Sequence, residues 1–159
     1  MARQWRQGSI DGGGFITTVA IDPSGSGVLL CGGDVSGVHR STGYGRRWSD
    51  RNGNRSTVNG LKVACLKWHP SVAGTVYACI GLSGSGTWSG FYHSTDYGVT
   101  WSQLSPTPKF AANRNAAAGI PYPWPRSVGN LLEFVGSIMY TGTFKDGLMR
   151  STDELQQIA

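Results

Sequence analysis

The sequence predicts an all-β chain, a partial β-propeller of about three four-stranded antiparallel blades, and three observations carry that prediction. First, residues 94–101 (STDYGVTW) are echoed at residues 41–48 (STGYGRRW), and the run begins again at Ser151-Thr152-Asp153. Second, these starts lie 53 and 57 residues apart, a spacing that belongs to repeat architectures. Third, the same order of short apolar segments and glycines surrounds each run. It makes four short strands per unit of about fifty residues, the composition of a propeller blade.

In chain order, the first strand of each unit falls at residues 15–21, 63–68 and 131–135. The first two of these close on X-Pro turns, Asp22-Pro23 and His69-Pro70. The second strands are residues 28–31, 76–79 and 138–141, and the third are residues 37–40, 90–93 and 147–150, each opened by a glycine. Fourth strands follow the recurrent run at residues 48–50 and 101–104, with 155–158 as a weak third copy. These bounds give a single incomplete propeller domain over residues 1–159. Residues 1–14 are an N-terminal strand and lead, 15–52 a first blade and 61–105 a second. Residues 106–130 are a long loop, and 131–159 a degenerate third blade. Three blades do not close a ring, since complete propellers use at least four. The chain is therefore expected to self-associate or to belong to a larger propeller.

The recurrent run reads as structural. Serine and aspartate oxygens brace turn backbone, Gly98 supplies a positive φ, and Trp101 is expected to pack its ring while its N–H finds an acceptor.

Composition narrows the function classes. The net charge is +5, but the arginines are scattered, and only Arg46, Arg47, Arg51 and Arg55 cluster. No helix or aromatic platform accompanies them, so a nucleic-acid partner is not expected. Cys31, Cys65 and Cys79 lie inside strands at no metal-ligand spacing, so neither a metal nor another cofactor is expected. Cys65 and Cys79 fall on neighbouring strands; a small buried hydrophobe is the expected role for each. No apolar run reaches membrane-spanning length, and residues 1–20 carry glycines and polar groups where a signal peptide has its apolar core.

The residues above resemble the Asp-box (BNR) repeats of sialidase-type propellers. Their order is most similar to the N-terminal blades of family 74 glycoside hydrolases, the xyloglucanase group. Gly12-Gly13-Gly14-Phe15, and residues 33–38 followed by Arg40, fit that family's opening. The resemblance makes Ser41, Trp48, Ser94, Asp96, Gly98, Trp101, Ser151 and Asp153 the structural box residues. It makes Asp34, in the turn after the second strand of the first blade, the match to one catalytic aspartate. It departs from the family run at Gly33, Ser36 and His39, and the family's second catalytic acid comes from a propeller domain absent here. Relatives are often extracellular.

Glycoside hydrolysis needs two carboxylates flanking the bond. Besides Asp34, only Asp146 and Glu133 fall where a groove face is expected, Glu133 only if it faces the propeller axis. Aromatic rings suit the apolar faces of sugars, and Trp88, Tyr122 and Trp124 stand on glycine- and proline-rich connectors expected on the same face as Asp34. The expected partner is thus a polysaccharide or oligosaccharide, bound by Asp34, Trp88, Tyr122 and Trp124, with catalysis incomplete in this chain alone. Two alternatives stay open: a protein-interaction scaffold using the arginine cluster, and a truncated non-functional product.

Overall fold

The computed structural model describes residues 15–34, 36–50, 62–81, 89–105, 110, 130–143 and 147–153. Among them are three antiparallel sheets and no helix, the architecture of a partial β-propeller. The first sheet contains β1 (Ile16–Ile21), β2 (Leu29–Gly33), β3 (Val38–Ser41) and β4 (Ser49–Asp50), hydrogen-bonded in chain order. The second contains β5 (Lys62–Trp68), β6 (Val76–Gly81), β7 (Gly90–Ser94) and β8 (Ser102–Ser105), in the same order. The third contains β9 (Leu132–Val135), β10 (Ile138–Gly142) and β11 (Leu148–Ser151). The fourth strand expected at residues 155–158 lies outside the described residues.

Each sheet follows from alternation along short β-branched and aromatic runs, which sends successive side chains to opposite faces. In the first sheet one face carries Ala20, Leu30 and Val38. It meets Val63, Leu66, Trp68, Val76, Ala78, Ile80 and Tyr92 of the second, forming one buried cluster. The opposite face of the second sheet carries Cys65, Tyr77, Cys79 and Phe91. It meets Phe110, Leu132 and Met139 in another cluster. Phe91 and Phe110 are edge to face there, with centroids 4.8 Å apart. The second sheet therefore gives one face to the preceding unit and the other to the following unit.

The first strands of the sheets lie side by side. Thr17 Oγ1 donates to the Gly32 and Val63 carbonyls, and Leu66 N–H donates to Thr18 Oγ1 at 3.3 Å. These bonds set β1 alongside β5 in the same direction, so equivalent turns of the two sheets come to the same end. Both strands carry a register irregularity near their starts, between Ile16 and Thr18 and between Val63 and Cys65.

Candidate functional site

At the end where β1 begins and β2 stops, Asp34 clamps the chain. Phe15 N–H donates to its Oδ1 at 3.3 Å, and Asp34 N–H donates to the Phe15 carbonyl at 3.0 Å. Gly33 N–H closes the turn onto the Gly37 carbonyl at 2.9 Å. The aspartate side chain is half-buried, so one carboxylate is held by backbone at a strand end while still reaching solvent. Trp88, Tyr122, Trp124 and Asp146 lie outside the described residues.

Along the inner strands runs a cavity of about 610 Å³, and Asp34 does not line it. Its walls are Thr17 to Ile21 of β1, Leu66 to Trp68 of β5, with Pro23, Pro70 and Asn130. Beside it Lys67 Nζ pairs with Glu133 Oε2 at 2.8 Å, and Asn130 Nδ2 donates to Glu133 Oε1. The Lys67 ammonium, then the Asn130 amide, hold the Glu133 carboxyl below the usual carboxylate range. Glu133 is therefore an ionised partner of Lys67, poorly suited to donate a proton near neutral pH. Sequence reasoning singled out Glu133 but missed Lys67 and Asn130. The available signal was Lys67 itself, a cation inside the otherwise apolar run of residues 63–68.

The recurrent turns stand at the opposite end. Ser94 Oγ accepts from Gly98 N–H at 2.8 Å and bonds Asp96 Oδ1 at 2.7 Å. Asp96 accepts from Val99 N–H at 3.0 Å, Thr100 N–H at 2.8 Å and Thr100 Oγ1 at 2.6 Å. Burial alone would raise the Asp96 carboxyl, but these bonds outweigh it and lower it. Ser41 Oγ likewise accepts from Gly45 N–H at 3.0 Å, with Gly43 leaving the carboxylate place empty. Ser151 Oγ bonds Asp153 Oδ1 at 2.7 Å. Asp22 braces its own turn, accepting from Ser24 N–H at 3.1 Å and from the Ser24 and Ser26 hydroxyls.

Two features of these turns differ from the sequence reading. The positive φ is shared by the residue before each glycine, Tyr44 at 55° and Tyr97 at 61°. Bulky residues rarely adopt it. Here each ring lies over a glycine, Gly27 or Gly74, where a Cβ would come within 2.9 Å of the ring, and each tyrosine N–H bonds that glycine's carbonyl. The recurring Tyr-Gly pair was the legible signal. Moreover, Trp101 Nε1 has no acceptor among the described residues, whereas Trp48 Nε1 donates to the Gly45 carbonyl at 3.0 Å. Trp101 is buried between two sheets, and the half-exposed Trp48 stays near its turn.

The cysteines are free and buried, with Cys65 and Cys79 directly opposite each other in register. The Cys79 thiol, against burial and with help from the Leu131 and Leu132 backbone and Lys67, brings Cys65 down to about 7. Burial pushes Cys79 up, and raises Cys31 to about 11. No group of three or more metal-ligating side chains occurs among the described residues.

No family model and no curated protein matches this chain. Solved structures do. The GH74 xyloglucanase from Xanthomonas campestris is similar over 97% of this chain and 22% of its own, with TM-score 0.62 and 22% identity. An ancestral GH74 enzyme is similar over 87% of this chain and 17% of its own, with TM-score 0.57 and 17% identity. The GH74 enzyme of Niastella koreensis covers 86% of this chain and 17% of its own, with TM-score 0.52 and 22% identity. The chain thus has a GH74-like propeller fold, and it spans less than a quarter of the length of each of these enzymes.

Proposed function

We propose that this chain is a polysaccharide-binding part of a glycoside hydrolase-like propeller of the xyloglucanase type. The observation that carries the reading is its likeness, over most of its length, to GH74 enzymes, one of them a xyloglucanase. Asp34, clamped to Phe15 at the strand end, serves as an orienting carboxylate at the binding face. Trp88, Tyr122 and Trp124 are the stacking residues that the sequence offers to sugar rings. Hydrolysis needs a second carboxylate about 5–9.5 Å from the first. Among the described residues Asp22, Asp96 and Asp153 are bonded into turns, and Glu133 is paired with Lys67. Asp146, the other candidate, lies outside the described residues, and the reading puts the second acid in another part of a larger propeller, so that the chain alone binds without cleaving.

Titration calorimetry with xyloglucan oligosaccharides tests this. Replacing Trp88 and Trp124 together by alanine should weaken binding roughly five- to hundredfold, from two aromatic contacts of about 0.5–1.5 kcal/mol each. Equal affinity of wild type and double variant, or no binding by either, would sink the reading. A scaffold role for protein partners has one observation in its favour: Arg46 and Arg47 are both exposed beside the first recurrent turn. It predicts binding that weakens steeply with salt and ignores glucans.

A further inference from the structure

The first two recurrent turns share one backbone and differ in one side chain. Tyr44 and Gly45 have φ 55° and 79°, and Tyr97 and Gly98 have 61° and 78°. Ser41 Oγ accepts from Gly43 and Gly45 N–H at 3.3 and 3.0 Å, as Ser94 Oγ does from Asp96 and Gly98 N–H at 3.3 and 2.8 Å. Arg46 N–H donates to the Gly43 carbonyl at 3.2 Å, and Val99 N–H to that of Asp96 at 3.4 Å. The turns therefore correspond residue for residue: Gly43 to Asp96, Arg46 to Val99 and Arg47 to Thr100.

What differs is the carboxylate. Asp96 accepts from Ser94 Oγ, from Val99 N–H and from the Thr100 N–H and hydroxyl. Ser151 Oγ finds the same partner in Asp153. In the first turn Gly43 offers no carboxylate, yet the donors are kept. Ser41 is 1% exposed, and its hydroxyl proton has no acceptor among the described residues. Nothing lies within 4 Å of the Cβ position of Gly43, and its φ is outside the positive region, so a side chain there would meet neither atoms nor backbone strain.

Charge points the same way. Arg46 and Arg47 replace Val99 and Thr100 with two exposed guanidinium groups, neither of them in an ion pair with a described residue. Their exposure belongs to this rim of the turn: Val99 and Thr100 are exposed too, although the first sheet packs beside their turn. Main-chain N–H groups gathered by a turn of this kind form a concavity that suits an anion.

We propose that the first recurrent turn binds a carboxylate from outside the chain, acetate or the side chain of an aspartate, in the place that the Asp96 carboxylate takes in the second. The ligand's methyl or methylene carbon stands at the Cβ position of Gly43. One carboxylate oxygen accepts from Ser41 Oγ and Arg46 N–H, as Asp96 Oδ1 does from Ser94 Oγ and Val99 N–H. The other faces the Arg46 and Arg47 guanidinium groups, whose charge-assisted bonds stand in for those of Thr100. This site lies at the opposite end of the sheet from Asp34, so it is separate from the proposed glycan face.

Amide NMR of the full chain, titrated with sodium acetate near neutral pH, tests this, with sodium chloride holding the ionic strength constant. The Gly43, Arg46 and Arg47 signals of wild type should shift and saturate. In Gly43→Asp a tethered carboxylate fills the place, so the acetate shifts should vanish while Tm rises by roughly 2–8 °C. Gly43→Asn, which fills it with a neutral amide, is a second blocking variant, and circular dichroism checks that both fold. Arg46→Ala combined with Arg47→Ala should weaken acetate binding roughly tenfold, the loss of a charge-assisted hydrogen bond. A capped Gly-Asp-Gly peptide that binds more tightly than acetate identifies an aspartate side chain as the ligand; one that binds no better identifies the free anion. Wild-type shifts no larger with acetate than with chloride alone, or shifts of equal size in wild type and both Gly43 variants, overturn the proposal.

Discussion

Replacing Gly98 by alanine separates what the recurrent turn costs its own backbone from what it costs the neighbouring sheet. At φ +78° an alanine is disfavoured by about 1–2 kcal/mol. Its Cβ would also stand 2.8 and 2.9 Å from the two methyl carbons of Leu30, which is fully buried and cannot swing aside. Overpacking of that kind adds about 1–3 kcal/mol. Gly45 is the internal control. It has the same backbone, φ +79°, but its nearest neighbours, Leu29 and Trp48, are at an ordinary 3.7 Å. Gly45→Ala should therefore cost about 1–2 kcal/mol, and Gly98→Ala about 2–5 kcal/mol. Urea denaturation followed by circular dichroism, at concentrations where the chain is monomeric, measures both. Adding Leu30→Ala to Gly98→Ala should recover the overpacking portion as a coupling energy of about 1–3 kcal/mol. Equal costs at the two glycines, or strict additivity with Leu30→Ala, would refute the claim that this turn is seated on the first sheet.

Asp96→Ala removes an acceptor of backbone and hydroxyl protons and should lower stability by about 1–2 kcal/mol in the same assay. Because the folded Asp96 and Asp22 carboxyls lie below their ordinary value, their contribution is complete above the unfolded value of about 3.9. It is lost as pH falls through the folded values, so stability should decline below about pH 4, and less steeply in Asp96→Ala. An unchanged slope in that variant would count against the carboxylate's role. Arg40→Ala should cost about 1.5–3 kcal/mol through loss of its bond to the Tyr97 carbonyl, with Arg40→Lys restoring part of it. Lys67→Ala should change stability by less than about 1 kcal/mol, since Lys67 and Glu133 are 33% and 50% exposed, and the change should shrink in high salt.

The fold was legible because its signals are local. Apolar alternation in runs such as residues 63–68, with Asp22-Pro23 and His69-Pro70 closing the first strands, marks strands and turns without knowledge of what they touch. Observed strand ends differ from the expected ones by a residue or two, as at β2, which starts at Leu29 and runs on to Gly33. The site was less legible because its contacts join residues far apart in sequence. Nothing local to Glu133 announces that it meets Lys67, 66 positions earlier and one sheet away. Asp34 could be picked out from its turn, yet the backbone that clamps it belongs to Phe15, whose role depends on the register of β1 against β2. Trp101 shows the same limit: its ring was correctly expected to pack, but buried between two sheets its N–H meets no acceptor among the described residues, whereas Trp48 keeps one.

The position held by Ala20, Lys67 and Glu133 in successive sheets shows how charge is accommodated at the inner edge of the sheets. All three stand on innermost strands and face the following unit. Ala20 is small and lets the first two sheets close over Leu30 and Val38 in an apolar cluster. An ammonium at that position has to reach solvent or a counter-charge, because burying it unpaired costs several kcal/mol. Lys67 does so by leaving the interface along the inner edge and meeting Glu133, which stands at the same position one sheet later. The second-strand residues behind it, Leu30, Tyr77 and Tyr140, stay apolar or aromatic while the inner edge becomes charged. Lys67 and Asn130 consequently enter the wall of the inner cavity, beside Thr17 and Thr18. The lining there combines the Thr17 and Thr18 hydroxyls, the Asn130 amide and the Lys67 ammonium with the apolar Val19, Ala20 and Leu66.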